Sequence, residues 1–197
     1  MPPKRKAQAA TYPKQLSSCN AVSVIIPSAL YLGPVSAATS TQFIASNGIT
    51  QVLSIGITPS PKVDGVIYHR LSVNDSASAS VIPTINCAVE IIDHALKSKK
   101  GTGRILVHCC AGVSRSPTLV VAYLMKKRGM SLRDALGHVV KIRPQVSPNS
   151  GFIQQLKDME VELRGVSTLD VDQLPRRETD RLAIFADVVG LEGVPQG

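Results

Sequence analysis

The stretch VHCCAGVSRSPT, residues 107–118, stands between an apolar run and a helix-like run. Cys109 and Arg115 are six residues apart, Gly112 lies between them and Ser116 follows. Where a strand turns into a helix, loop N–H groups and the helix N-terminus point into the turn and make an anion site. Gly112 lets such a loop curl tightly, and the small Ala111 does not block it. Arg115 can give two parallel hydrogen bonds to a tetrahedral oxyanion. The same positive surroundings pull the thiol of Cys109 below its free pKa of about 8.5. A thiolate there is a nucleophile aimed at the held anion, and its attack on phosphorus gives a covalent phospho-enzyme. Ser116 can donate a hydrogen bond to the Cys109 sulfur and help it leave in the second step. The bland alternative makes Cys109 and Cys110 small buried hydrophobes and Arg115 a surface cation. Cys, Gly, Arg and Ser coinciding within eight residues favours the nucleophile. The GxxxxGK[ST] pattern of a Walker-type nucleotide loop is missing.

Such a loop needs a strand before it and a helix behind it. RILVHC is a nearly continuous apolar run, as a buried parallel strand should be. SPTLVVAYLMKKRG reads as a helix with Pro117 in its first turn and Gly129 past its end. Upstream, ALYLG, ITQVLSIG and VIYHRLSV read as strands bounded by Gly and Pro. SAATSTQFIASNG has a helical pattern that stops at Asn47-Gly48. VIPTINCAVEIIDHALKSKKG places Ile85, Val89, Ile92 and Leu96 on one helical face. SLRDALGHVVKIR opens with a capping-box pattern from Ser131 to Asp134 and ends before Pro144. SGFIQQLKDMEVELRG is a last amphipathic helix. Strands alternating with helices predict an α/β fold, a single domain with a mainly parallel central sheet flanked by helices. In such sheets ligands bind at the carboxyl ends of the strands.

With 197 residues, 44% of them hydrophobic, the chain can bury a core and fits one domain with tails. Residues 1–18 read as a flexible basic tail, 19–165 as the domain and 166–197 as a linker or tail. Within that last part RLAIFADVVGL could form a short amphipathic helix, packed on the domain, loose, or docked on a partner. No apolar run is long enough to span a membrane, and MPPKRK has no apolar stretch behind it as a secretory signal would. PPKRK reads as a nuclear-import signal or as a solvated terminus; the expected location is cytoplasm, nucleus or both. The cysteines, Cys19, Cys87, Cys109 and Cys110, do not form a spaced disulfide framework, so a reducing compartment is expected. No CxxC pair exists and no metal site is expected. Net charge is +8, with +4 in residues 1–14, +7 in 15–165 and −3 in 166–197. A basic domain favours acidic partners: phosphorylated ligands, nucleic acid or anionic lipid. With three Phe, four Tyr and no Trp, no aromatics interleave with basic residues, so nucleic acid is the weak member of that set. Nothing in the sequence points to an oligomeric state.

HCCAGVSRSPT resembles the HCxxGxxR[ST] signature of the cysteine-based protein phosphatases, in the HCxAGxSRS form of the dual-specificity phosphatases. IPSALYLGPVSAA, GITQVLSIG, LSVND and RPQVSPNSGFIQQLKDME resemble further blocks of that family in the family's order. The resemblance implies a phosphatase-like fold that needs no cofactor. It implies Cys109 as nucleophile, Cys110, Ala111, Gly112, Val113, Ser114 and Arg115 as the phosphate-binding loop, and Ser116 as an aid to the second step. Such chemistry needs a general acid, and Asp64, Asp75 and Asp93 are the candidates. Asp64 precedes a strand in a Pro-rich turn, and Asp93 lies inside a helix. Asp75 directly follows VIYHRLSV, at the sheet edge that carries the cysteine loop, and matches the family's acid in VND. The loop continues as SASASVIP, without the further acids and the aromatic that many members carry there. Asn149 matches a position that supports the phosphate loop and also suits a helix N-cap. His108 either orients Cys109 and tunes its pKa or is a satisfied buried histidine. The uncharged residues between Cys109 and Arg115 disfavour a highly charged inositol headgroup. Phosphotyrosine and phosphoserine/phosphothreonine in protein substrates are what the resemblance implies. RNA 5′-phosphates, phospholipids or phosphoglucans under the same chemistry, and a phosphoprotein-binding scaffold, are the alternatives. A low-pKa thiolate also raises the expectation that Cys110 or Cys87 caps Cys109 as a disulfide after oxidation.

Overall fold

A computed structural model of the chain describes residues 21–190; the basic segment 1–18 and Cys19 lie outside the described residues. Its centre is the strand β5 (Ile105–His108), every residue of which is buried. On one side β5 pairs in parallel with β2 (Leu30–Gly33), on the other with β3 (Gln51–Ile55). β4 (Ile67–Leu71) lies parallel beyond β3, and β1 (Ser23–Ile26) pairs antiparallel with β2. The order is therefore β1-β2-β5-β3-β4, a mixed five-stranded sheet whose one antiparallel pair is at an edge. Inserting β5 between strands that precede it in sequence puts its carboxyl end over the middle of the sheet. Open α/β sheets hold ligands at such a point.

Alternation of side chains sorts the strands onto two faces. Tyr31, Val52 and Leu106 join Ala37, Ala38, Ile44 and Ile49 under α1 (Val35–Ala38) and α2 (Thr41–Ser46). Leu30, Leu32, Leu53, Ile55, Ile105 and Val107 join the larger core on the other face. That core is covered by α3 (Ile82–Gly101), α4 (Arg115–Arg128), α5 (Leu132–Ile142) and α6 (Ser150–Arg164). Every residue of α4 from Ser116 to Met125 is buried, as befits a helix enclosed all round. Its end is the αL cap at Gly129.

Two elements differ from their sequence patterns. SAATSTQFIASNG is not one helix: the chain breaks at Thr39-Ser40, and the Ser40 hydroxyl accepts the Phe43 N–H to start α2. Serine inside a helical pattern offers the backbone a competing partner, and here the cap wins. α3 is regular only to Lys97; Lys99 and Lys100 adopt left-handed φ of 48° and 58°. Ser131 caps α5, its Oγ accepting from Asp134 N and donating to the Asp134 carboxylate.

Residues 166–190 form a further layer. They contain α7 (Glu178–Ile184) and bury Leu169, Leu174, Phe185 and Val188 against the domain. Glu160, fully buried in α6, accepts from Leu132 N and from the backbone and hydroxyl of Thr168. It thereby caps α5 and ties down the start of this layer. No helix among the described residues is long and apolar enough to cross a membrane.

Candidate active site

Cys109 directly follows β5, and the chain reaches the first residue of α4 at Arg115. In between, the backbone curls so tightly that Gly112 takes φ of +69°. A Cβ there would come within 2.6 Å of the Gly33 carbonyl, so both conformation and space require glycine.

The curl has a definite polarity. The carbonyls of Ala111 and Gly112 turn outward and accept from Arg143 Nη2 (2.9 Å) and Nε (2.8 Å). The Val113 carbonyl accepts from Ser147 N at 2.9 Å. In a planar trans peptide the N–H points opposite to the carbonyl. The amides of Gly112 and Val113 therefore point inward, where both hydrogen-bond the Cys109 sulfur. The Ser116 amide joins them, and Ser116 Oγ donates to Cys109 Sγ at 3.2 Å. Burial alone would raise the Cys109 pKa; the Ser116 hydroxyl and the three amides outweigh it and hold the thiol below its ordinary value. Cys109 is thus a buried sulfur in an anion-binding cradle.

Arg115 and Asp75 stand beside it. Arg115 Nε is buried with no hydrogen-bond partner among the described residues, and lies 3.6 Å from Asp75 Oδ2. An oxyanion over the cradle is the natural acceptor for that donor. Asp75 is fixed from its other oxygen: Oδ1 accepts from Ser114 Oγ (2.6 Å) and Asn149 Nδ2 (2.9 Å). Both of these donors are on Oδ1, which leaves Oδ2 as the oxygen facing Arg115. Ser114 holds the N-cap position of α4, yet its hydroxyl serves Asp75 and makes no cap bond.

Asn149 has both sequence-suggested placements. Its Oδ1 accepts from Phe152 N to cap α6, and its backbone N–H donates to Ser114 Oγ. His108 does not touch the sulfur through any hydrogen bond. Its Nδ1 lies 3.0 Å from the Cys109 carbonyl, which can only accept, so Nδ1 carries the proton. Nε2 then accepts from Ser54 Oγ at 2.8 Å. Burial lowers the His108 pKa and keeps the ring neutral, and what the ring holds is the Cys109 backbone carbonyl. Cys110 points outward with an exposed side chain, its carbonyl accepting from Val35 N. Cys87 is exposed on α3; Cys87, Cys109 and Cys110 are free thiols. Asp64 and Asp93 stand elsewhere, Asp93 in ion pairs with Lys97 and Lys127. Among the described residues no three His, Cys, Asp or Glu side chains are grouped to hold a metal ion.

Three supporting residues escaped the sequence reading. Arg143 is 1% exposed and is the C-cap of α5, at a sequence spacing that continues its buried residues Leu132, Leu136 and Val139. An arginine on a buried stripe is a legible signal of a buried partner. Gly56, after β3 with φ of +80°, leaves the space that Arg115 Nη1 occupies. Gln155 of α6 accepts from Val81 N and donates to Ala79 O, which fastens the loop carrying Asp75. Arg143→Met keeps the stem but removes the hydrogen bonds to the Ala21, Ala111 and Gly112 carbonyls, at about 1.5–3 kcal/mol for each bond to a charged group. The expected result is a loss of about 100-fold in kcat/KM with a raised Cys109 pKa, read by steady-state kinetics and by the pH dependence of thiol alkylation. Unchanged alkylation would show that Arg143 does not orient the amides.

Residues 30–162 match the family model for the dual specificity phosphatase catalytic domain. The chain belongs to the dual-specificity phosphatase family. It is 41% identical over 141 residues to dual specificity protein phosphatase 1 of Arabidopsis thaliana, covering 71% of this chain and 70% of that one. Among solved structures, human DUSP28 aligns with a TM-score of 0.66 at 31% identity, over 73% of this chain and 95% of that one. A mouse dual-specificity phosphatase in complex with zinc tungstate aligns with a TM-score of 0.67 at 29% identity, over 82% and 96%. The phosphatase-like α/β fold and the phosphatase class expected from the signature therefore both hold. The family match ends at residue 162, before the layer that contains α7.

Proposed function

We propose that this phosphatase hydrolyses phosphotyrosine and phosphoserine/phosphothreonine in protein substrates through a cysteinyl-phosphate intermediate. The observation that carries the reading is the buried Cys109 sulfur, which accepts from the Ser116 hydroxyl and three inward amides with Arg115 alongside. The same amides and the Arg115 guanidinium bind the three non-bridging oxygens of a phosphate monoester above the sulfur. The thiolate forms the S–P bond as the P–O bond to the substrate breaks. The leaving oxygen takes the proton from Asp75 Oδ2. In the second step the Asp75 carboxylate accepts a proton from water as its oxygen attacks phosphorus. The S–P bond breaks, inorganic phosphate departs, and the Ser116 hydroxyl stabilises the returning thiolate. In the related mouse phosphatase the bound tungstate is likewise a tetrahedral oxyanion.

The substrate class rests on what surrounds the cradle. Residues 110–114 carry no charge, and the loop after Asp75 is SASAS, with small side chains, exposed except at Ala79, and no aromatic residue. That suits phosphorylated side chains of different length better than a polyanionic headgroup. The test is phosphate release from phosphotyrosyl and phosphothreonyl peptides beside a 5′-phosphorylated RNA, a phosphoinositide and a phosphoglucan. Turnover of both peptides, with the others slower by about tenfold or more in kcat/KM, is expected. Preference for a non-protein phosphate would overturn the substrate but not the chemistry.

A further inference from the structure

The layer of residues 166–190 is joined to the phosphate loop by a short chain of polar contacts. Arg181 of α7 is 5% exposed, and its guanidinium binds three carbonyls. Nη1 donates to Pro175 O (2.6 Å) and Arg176 O (2.8 Å), closing its own turn. Nε reaches across to Pro144 O at 2.8 Å. Pro144 follows Arg143, whose side chain turns the Ala111 and Gly112 carbonyls outward. The segment they begin continues along the loop, with Ser147 N on Val113 O and Asn149 N on Ser114 Oγ. Arg181 therefore grips the outer side of the segment whose inner side shapes the cradle.

The domain is built to receive this layer. Gly137 sits in mid-α5, where glycine is less favourable than alanine. A Cβ there would lie 2.9 Å from both Phe185 Cδ1 and Val188 Cγ2. Arg133 donates to Ile184 O, and Lys141 to Ala186 O and Val188 O. The layer thus has a seat, three carbonyl anchors and one arginine directed at the 143–149 segment.

We propose that Arg181 is a positioning residue for the phosphate loop, so that α7 is part of the catalytic unit although it lies outside the family's domain. The proposal rests on the reading of Cys109 as the nucleophile. Its mode of action is indirect. Holding Pro144 fixes where Arg143 begins, and Arg143 sets which way the Gly112 and Val113 amides face. Loosening that hold weakens the inward amides, and with them both the thiolate and the bound oxyanion.

The test uses the full chain with Arg181→Met, which keeps a long apolar side chain, and Arg181→Lys, which keeps the charge and one donor. Three quantities are measured well below the unfolding temperature: the alkylation rate of Cys109 by iodoacetamide against pH, inhibition by inorganic phosphate, and thermal unfolding. Arg181→Met is expected to move the alkylation midpoint to higher pH and to weaken phosphate inhibition roughly three- to tenfold, Arg181→Lys less. A lower unfolding temperature with alkylation and phosphate inhibition both unchanged would mean that α7 only stabilises the fold, and would overturn the proposal. If Arg181→Met does not fold, Arg181→Lys decides alone by the same two readouts. An intact protein whose Cys109 alkylates like an ordinary thiol would overturn the reading of the site itself, and this proposal with it.

Discussion

Cys109→Ser should lose on the order of 10⁵–10⁶-fold in turnover, the cost of deleting a nucleophile whose neighbours act as a unit. The substitution changes one atom. Ser116 and the amides of Gly112 and Val113 would still face it, so the fold and oxyanion binding should survive. A hydroxyl is far harder to ionise than a thiol, and the cradle's pull on the Cys109 pKa does not bridge that gap. The check is phosphate release from para-nitrophenyl phosphate between about pH 5 and 8, with a chelator present. On the acid side the intact protein should gain activity as Cys109 loses its proton. Since its pKa is held below the usual thiol range, that rise should be complete at a lower pH than an ordinary thiol would give. Activity of the serine variant within tenfold of the intact protein would show that the sulfur is not the nucleophile.

Asp75→Asn should produce the second largest loss, and a selective one. Asparagine preserves shape, and its Oδ1 can still accept from Ser114 and Asn149, so the loop should stay where it is. What disappears is the carboxyl that donates to the leaving oxygen. General acid catalysis contributes typically about 10²–10⁴-fold, and only where the leaving oxygen needs protonation. Phosphotyrosyl peptide and phenyl phosphate should therefore slow by about 10²–10⁴-fold. An aryl phosphate with a very acidic phenol should slow by about tenfold or less. Equal losses on both would assign the proton to another group.

The cradle was legible because its parts are contiguous. Cys109, Gly112, Arg115 and Ser116 fall within eight residues, and the strand and helix around them are strongly patterned. Local chemistry then does most of the work: a left-handed glycine, a helix N-terminus, a hydroxyl one residue past an arginine. Asp75 was legible from topology, since a parallel strand delivers the residue behind it to the same sheet edge as β5. The break between α1 and α2 was not, because a serine cap and a helical serine look alike until the backbone chooses. Nor were the partners of His108 and Ser114, which come from β3 and from the loop after β4.

By itself, the sequence determined the class of fold and the phosphatase family and pointed to the candidate reacting groups, because these depend on period, order and local spacing. Only the tertiary structure decided which way the loop's peptides face. That depends on Arg143, which is 31 residues from Gly112 along the chain and meets it through the packing of α5 on the sheet. It also decided the standing of residues 166–190. Their position depends on Gly137 and the 143–149 segment, which are distant in sequence and which no local pattern reveals.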